Sequence, residues 1–143
     1  MEHEEIRIDE NILRNEFPLA KADSHKKDNG VLSVVCGSGM MAGAAIFNLQ
    51  GASVVGTGYV YGVITDQLLP VLAPLTPWVV FEKEYTYHGE KAVLAGSGCN
   101  ERVGFETTMK EIFQHERPII LDAYGLHLYK MLDLDKFWNW KTR

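Results

Sequence analysis

The sequence predicts an α/β layered domain built on a mostly parallel sheet, and three observations carry that prediction. Two short runs, the β-branched Val31, Leu32, Val34 and Val35 and the wholly apolar Ala92–Ala95, have the composition of strands buried on both sides of a parallel sheet. Segments with helical spacing of apolar residues fall between these runs, so strand and helix alternate along the chain. Several runs also end in glycine or a single acid: Gly37-Ser38-Gly39, Gly96-Ser97-Gly98 and Asp122. In parallel sheets ligands bind beyond the carboxyl ends of the strands, so these loops are expected to converge on one ligand-binding edge.

From the amino terminus, Ile6, Ile8, Ile12, Leu13 and Phe17 are spaced as a short amphipathic element, with Asp9 as N-cap of a helix over Glu10 to Asn15 that Pro18 ends. The run from Asp23 to Gly30 reads as a solvated, turn-forming loop. Val31 to Val35 is the central strand. It breaks into a glycine turn, and a helix of small and apolar residues follows from about Met40 to Leu49. Tyr59 to Ile64 alternates as a second strand, and Asp66 to Ala73 reads as a short helix ended by Pro74 and Pro77. Trp78 to Phe81 is a third strand, Glu82 to Glu90 is charged and turn-like, and Ala92 to Ala95 is a fourth strand entering the second glycine turn. A helix over about Phe105 to His115, stopped by Pro118, carries Phe105, Thr108, Met109, Ile112 and Phe113 on one face. Ile119 to Leu121 closes the sheet as a fifth strand.

A chain of 143 residues, 46% hydrophobic and 23% charged, fits one domain. A net charge of −5, with no basic cluster interleaved with aromatics, argues against nucleic acid as partner. No apolar run reaches the length of a membrane span and the first ten residues are acidic, so neither a membrane nor a signal peptide is expected. Cys36 and Cys99 make neither a disulfide framework nor a zinc site, which fits a reduced, cytoplasmic location and no bound metal.

The glycine turn after the central strand leaves amides of the following helix unpaired, an arrangement that receives an anionic ligand group. Its spacing, Gly37-x-Gly39-x-x-x-Gly43, misses the dinucleotide fingerprint by one residue, and Asp66 is only roughly placed as its ribose acid. Asp122 is the best local candidate for an acid or base, followed by His25 and His127. A loop-orienting role for Asp122 is the competing reading and the favoured one. Cys36 and Cys99 lack an assigned base and read as inert thiols.

Ser24-His25-Lys26, Cys36-Gly37-Ser38 with Met41-Ala42-Gly43-Ala44-Ala45, Gly56-Thr57-Gly58, Gly96-Ser97-Gly98 and Ile120 to His127 occur in an order and spacing that resembles the ADP/ATP-dependent NAD(P)H-hydrate dehydratases of the ribokinase-like superfamily. The resemblance covers residues 23–128, between an amino-terminal segment (1–22) and a divergent tail (129–143) of one truncated domain. It implies a three-layer α/β/α sandwich, Rossmann-like in its layering, and a repair lyase that dehydrates hydrated NADH or NADPH at the expense of ADP or ATP. It also implies a homo-oligomer. By position in the family motifs, Ala44 and Gly98 match the residues that hold the nicotinamide nucleotide, with Gly37, Ser38, Gly43, Gly96 and Asp122 completing the implied substrate edge.

The chain departs from the pattern at Lys27, Ser97, Tyr124 and His127. The family chain is roughly twice as long, and its second half carries the nucleotide loop, a further substrate His and a Gly-Thr-Gly-Asp turn with the catalytic Asp. No Gly-x-Gly-Asp occurs in this sequence, so no catalytic residue is assigned here. Two functions follow as expectations. One is a family member that binds a nicotinamide or adenine nucleotide at the Gly37, Ala44, Gly98 edge and acts with a chain that supplies the missing half. The other is a non-catalytic oligomeric binding or structural protein on the remaining half-fold. The apolar tail, with Met131, Leu132, Leu134, Phe137, Trp138 and Trp140, is expected to cover surface that the missing half would cover.

Overall fold

The computed structural model describes residues 9–16, 22–100 and 102–134. Its strands are β1 (Val31–Val35), β2 (Tyr59–Val63), β3 (Val80–Glu82), β4 (Ala92–Ala95) and β5 (Ile119–Leu121). Its helices are α1 (Glu10–Glu16), α2 (Ala42–Val54), α3 (Leu69–Leu75), α4 (Phe105–Ile112) and α5 (Tyr124–Met131). The strands form one sheet in the order β3-β2-β1-β4-β5, and every neighbouring pair is parallel. The chain builds β1, β2 and β3 outward on one side, then crosses to β4 on the other side of β1. The strand order therefore reverses between β1 and β4, the position at which open parallel sheets bind ligands beyond the strand ends.

Side chains alternate across the sheet. Val34 and Val60 pack with Leu49, Ala52, Leu68 and Leu72 beneath α2 and α3. Val35, Val63, Val93 and Ala95 pack with Phe105, Met109, Ile112 and Leu128 beneath α4 and α5. Both faces are covered, giving the three α/β/α layers, and each fully buried Leu or Met contributes about 1.5–3 kcal/mol. Leu134 belongs to the second core and is fully buried. Helix α5 thus runs across the 128/129 boundary, and the first residues of the tail pack on their own domain. The rest of the tail, with Phe137, Trp138 and Trp140, lies outside the described residues, as do Ile6, Ile8, Phe17 and Pro18.

Asp9 caps α1 as expected, its Oδ1 accepting from the amides of Asn11 at 2.9 Å and Ile12 at 3.0 Å. Other bounds move. A turn closed by Met41 N–H to Ser38 O at 2.9 Å delays α2 to Ala42. The helix then continues beyond Leu49, through Gly51 to Val54, because Ala52 packs on the sheet. Helix α3 starts at Leu69 and contains Pro74 instead of ending before it. Pro70 occupies the first turn, where a missing N–H leaves nothing unpaired, and Thr76 closes the last turn through bonds from its N–H and hydroxyl to Leu72 O. A turn from Val79 N–H to Thr76 O carries Trp78 away from the sheet, so β3 starts at Val80. Helix α4 tightens into turns after Ile112 and does not reach His115.

The segment read as charged and turn-like, Glu82 to Glu90, holds a buried cluster. The Glu90 carboxylate lies 3.1 Å from Nε of Arg117, and both side chains are almost fully buried. The Tyr85 hydroxyl bonds to both groups, and Arg117 also donates to His115 O at 3.0 Å. Burial, reinforced by the bond to Glu90, pushes the Tyr85 hydroxyl pKa up. The cluster locks the β3–β4 crossover onto the residues just before β5, at the amino end of the sheet.

Candidate functional site at the carboxyl end of the sheet

Strands β1, β4 and β5 deliver their loops to one place. The amide of Gly37 donates to Ser97 O at 2.8 Å, and that of Gly96 donates to Val35 O at 3.1 Å, so the two glycine turns are bonded to each other. Asp122 joins them from β5: its N–H donates to Ala95 O at 3.1 Å, and its Oδ2 accepts from the Ser97 hydroxyl at 2.7 Å. Gly98, at φ +69°, lets the second turn lie against the start of α2. A Cβ there would sit 2.9 Å from the Cβ atoms of both Ala44 and Met41.

The structure therefore brings Gly37, Ser38, Ala44, Gly96, Gly98 and Asp122 together. Gly43 stands on the open side of the same cluster, with no atom within 4 Å of its Cβ position. No side chain caps α2 at Met41, so its first-turn amides remain available beside Gly43. Ser38 is 1% exposed, and its hydroxyl has no hydrogen-bond partner. A buried hydroxyl left unpaired costs about 1–3 kcal/mol, which a ligand oxygen or amide would recover. What the arrangement offers is helix amides, a free hydroxyl and a carboxylate around small residues. Asp122 is held in place by Ser97, the loop-orienting arrangement.

The remaining candidates lie elsewhere or are inert. His25 caps a 3-10 turn over Lys26–Asn29 and is reciprocated by Asp28. That turn packs against Gly58, just before β2, at the opposite end of the sheet from Asp122. His127 is exposed, with its ring stacked near Tyr124 at 5.5 Å between centroids. Cys36 and Cys99 are fully buried, and burial pushes their pKa values up to about 12 and about 11. Both are held as thiols at neutral pH. A cavity of about 420 Å³ opens at the amino end, lined by Ser53, Val54, Thr57, Gly58, Val60 and Trp78, with no charged residue among them. Thr57 and Gly58 of the Gly56-Thr57-Gly58 run thus border that cavity and not the carboxyl end of the sheet. Among the described residues no cluster of His, Cys, Asp and Glu is placed to hold a metal ion, and no helix is long and apolar enough to cross a membrane.

Sequence reasoning passed over Arg102. The residue is 9% exposed, and its guanidinium donates to Val63 O at 2.6 Å and reaches Lys83 O at 3.5 Å, across the carboxyl ends of β2 and β3. An isolated arginine between a glycine turn and a helix carries no pattern that marks it as buried.

A family model described as NAD(P)H-hydrate dehydratase matches residues 32–137. The ADP-dependent (S)-NAD(P)H-hydrate dehydratase of Bacillus subtilis is 26% identical over 128 residues, covering 82% of this chain and 45% of the relative. Among solved structures, the Bacillus subtilis ADP/ATP-dependent NAD(P)H-hydrate dehydratase co-crystallised with ATP and Mg2+ superimposes with a TM-score of 0.74 at 24% identity, over 82% of this chain and 46% of its own. A ribokinase-like superfamily protein from Enterococcus faecalis superimposes with a TM-score of 0.77 at 17% identity, over 92% of this chain and 52% of its own. The fold is ribokinase-like, and the chain spans about half the length of the curated relative it matches.

Proposed function

Because the chain belongs to the NAD(P)H-hydrate dehydratase family, we propose that the crevice between β1 and β4 binds a nicotinamide nucleotide, with the hydrated form of NADH or NADPH as its physiological ligand. The observation that carries this reading is the convergence of Ala44, Gly98 and the uncapped start of α2 at the point where the strand order reverses. In this reading the helix amides and the Ser38 hydroxyl receive polar ligand atoms, Gly43 and Ala44 give room for close approach, and Asp122 fixes the loop through Ser97.

The lyase reaction is assigned to the completed family fold. No residue described here is given the role of catalytic base, and ADP or ATP, on which the relatives depend, is assigned to the part of the fold that these residues do not span. We propose that this remaining part, or a second copy of the chain, lies along β5, the edge strand of the described sheet, whose Ile120 is 57% exposed.

A thermal-shift series with NADH, NADPH, their hydrated forms, ADP and ATP tests the reading. A ligand bound only by the folded chain adds about 2.7 kcal/mol at 100 times its dissociation constant. The expected result is a rise with the nicotinamide nucleotides that is lost in Gly43→Leu, whose Cβ position has no protein atom within 4 Å. No rise with any nicotinamide nucleotide would leave the fold as a non-catalytic scaffold.

A further inference from the structure

Arg102 is a buried cation without a counter-ion among the described residues. Its guanidinium meets only carbonyl oxygens, Val63 O at 2.6 Å and Lys83 O at 3.5 Å. The neighbouring thiols of Cys36 and Cys99 are held protonated by burial and supply no negative charge. Asp66 is already paired with Lys83 at 2.9 Å. Glu82, opposite Val63 in the sheet register, turns Oε1 to His88 Nε2 at 2.7 Å; its Oε2 is buried and makes no hydrogen bond, to Arg102 or to any other described group. Desolvating a guanidinium is expensive, and proteins that do so supply an anion. Burial lowers the pKa of Arg102, yet a guanidinium stays charged at neutral pH.

The position of this charge matters. The backbone N–H of Arg102 donates to Cys99 O at 3.0 Å, one residue past Gly98, and its side chain then spans from the β4 loop to the end of β2, whose Val63 lies beside Val35 of β1. Thr65, on the loop leaving β2, has a buried hydroxyl with no partner, as does Ser38 on the loop leaving β1. The Arg102 guanidinium and two hydroxyl donors thus sit, under-used, along the same end of the sheet. Anionic oxygens of a phosphate ester suit such a set, because guanidinium pairs with phosphate through charge-assisted bonds.

We propose that Arg102 is an anion anchor of the crevice, binding a phosphate or pyrophosphate group of the ligand at the β2 and β3 side of the glycine turns. The proposal rests on the nucleotide-binding reading above and adds to it the direction in which the ligand lies: from Gly98, across the end of β1, toward β2. Arg102 touches ligand in this account and takes no part in proton transfer.

The test is calorimetric titration of the full chain with inorganic pyrophosphate and with NADH, comparing the parent with Arg102→Met, Arg102→Lys and Glu82→Gln. Arg102→Met is expected to weaken pyrophosphate and NADH by about 10- to 100-fold, as loss of a charge-assisted bond does. Arg102→Lys should recover part of the loss, and Glu82→Gln should bind as the parent does. Equal binding by the parent and Arg102→Met overturns the anchor while leaving nicotinamide binding intact. Arg102-dependent pyrophosphate binding without NADH binding sustains the anchor and removes the nicotinamide reading. Pyrophosphate binding markedly tighter in Glu82→Gln than in the parent would make Glu82 the counter-ion of Arg102 and overturn the proposal.

If Arg102→Met does not fold, the side-chain Nε–H signal of Arg102 in the parent, assigned through Arg102→Lys, carries the test. It should shift on titration with pyrophosphate, and an unmoved signal would overturn the proposal.

Discussion

Two buried arginines stand at opposite ends of the sheet, and they have been treated differently. Arg117, at the amino end, has Glu90 at 3.1 Å, the Tyr85 hydroxyl and a carbonyl, with the rings of Tyr85 and Tyr87 at 5.6 and 5.4 Å from its guanidinium carbon. Arg102, at the carboxyl end, has two carbonyls and no carboxylate among the described residues. The first charge is compensated within the fold and serves to lock a crossover. The second is uncompensated, and it lies where glycine turns, unpaired hydroxyls and free helix amides also gather. The amino end even holds a cavity of about 420 Å³, but without a charged residue to orient a ligand. Chemistry, not empty volume, distinguishes the ligand end.

The largest expected effect breaks the compensated arginine. Glu90→Ala strands Arg117 in the core and should lower urea-unfolding stability by about 3–5 kcal/mol. Arg102→Met should change it by less than about 1 kcal/mol, because relief of desolvation offsets the two lost bonds to carbonyls. Equal losses in the two variants would erase the contrast between the two ends.

Next in size is a pair of glycine substitutions at the carboxyl end. Gly96, at φ +117°, would place a Cβ against the backbone of Asp122 and Gly125, so Gly96→Ala should cost about 3 kcal/mol or more, read as a fall in thermal midpoint. Gly43→Ala meets nothing and lies inside α2, so it should raise apo stability by about 0.5–1 kcal/mol. A destabilised Gly43→Ala would mean that the position is closed by protein and not open to a ligand.

A third contrast is alkaline. Burial raises Cys36 from its ordinary 9.0 to about 12 and Cys99 to about 11, and Tyr85 is also raised, so the folded chain holds more protons than the unfolded chain above pH 9. The stability these groups contribute is fully present below pH 9 and is lost as pH rises toward 11 and 12. Urea midpoints should fall over that range, and less steeply in Cys36→Ala.

These contrasts mark what the sequence could show. Val31–Val35 and Ala92–Ala95 are legible as buried strands because all their residues but Ser33 are apolar, and Asp9 is legible as a cap because its effect is local. The edge composed of Gly37, Ala44, Gly98 and Asp122 followed from parallel strand ends and family-like motifs. Pro74 inside α3 and the late start of β3 were hidden, since turn bonds around Thr76 outweighed proline and aromatic propensity. Glu90, Arg102 and Arg117 read as ordinary surface charges. Their burial depends on partners distant in sequence: Arg102 reaches Val63 and Arg117 reaches Tyr85. His25, grouped with the site by motif order, lies at the other end because the chain enters β1 from there.

The most direct measurement is amide chemical-shift mapping of the isotope-labelled chain during titration with hydrated NADPH. The account predicts perturbations at Gly39, Gly43, Ala44, Gly98 and Arg102, with Ser53, Thr57 and Trp78 unmoved. Perturbations confined to the amino-end cavity, or none at all, would contradict it.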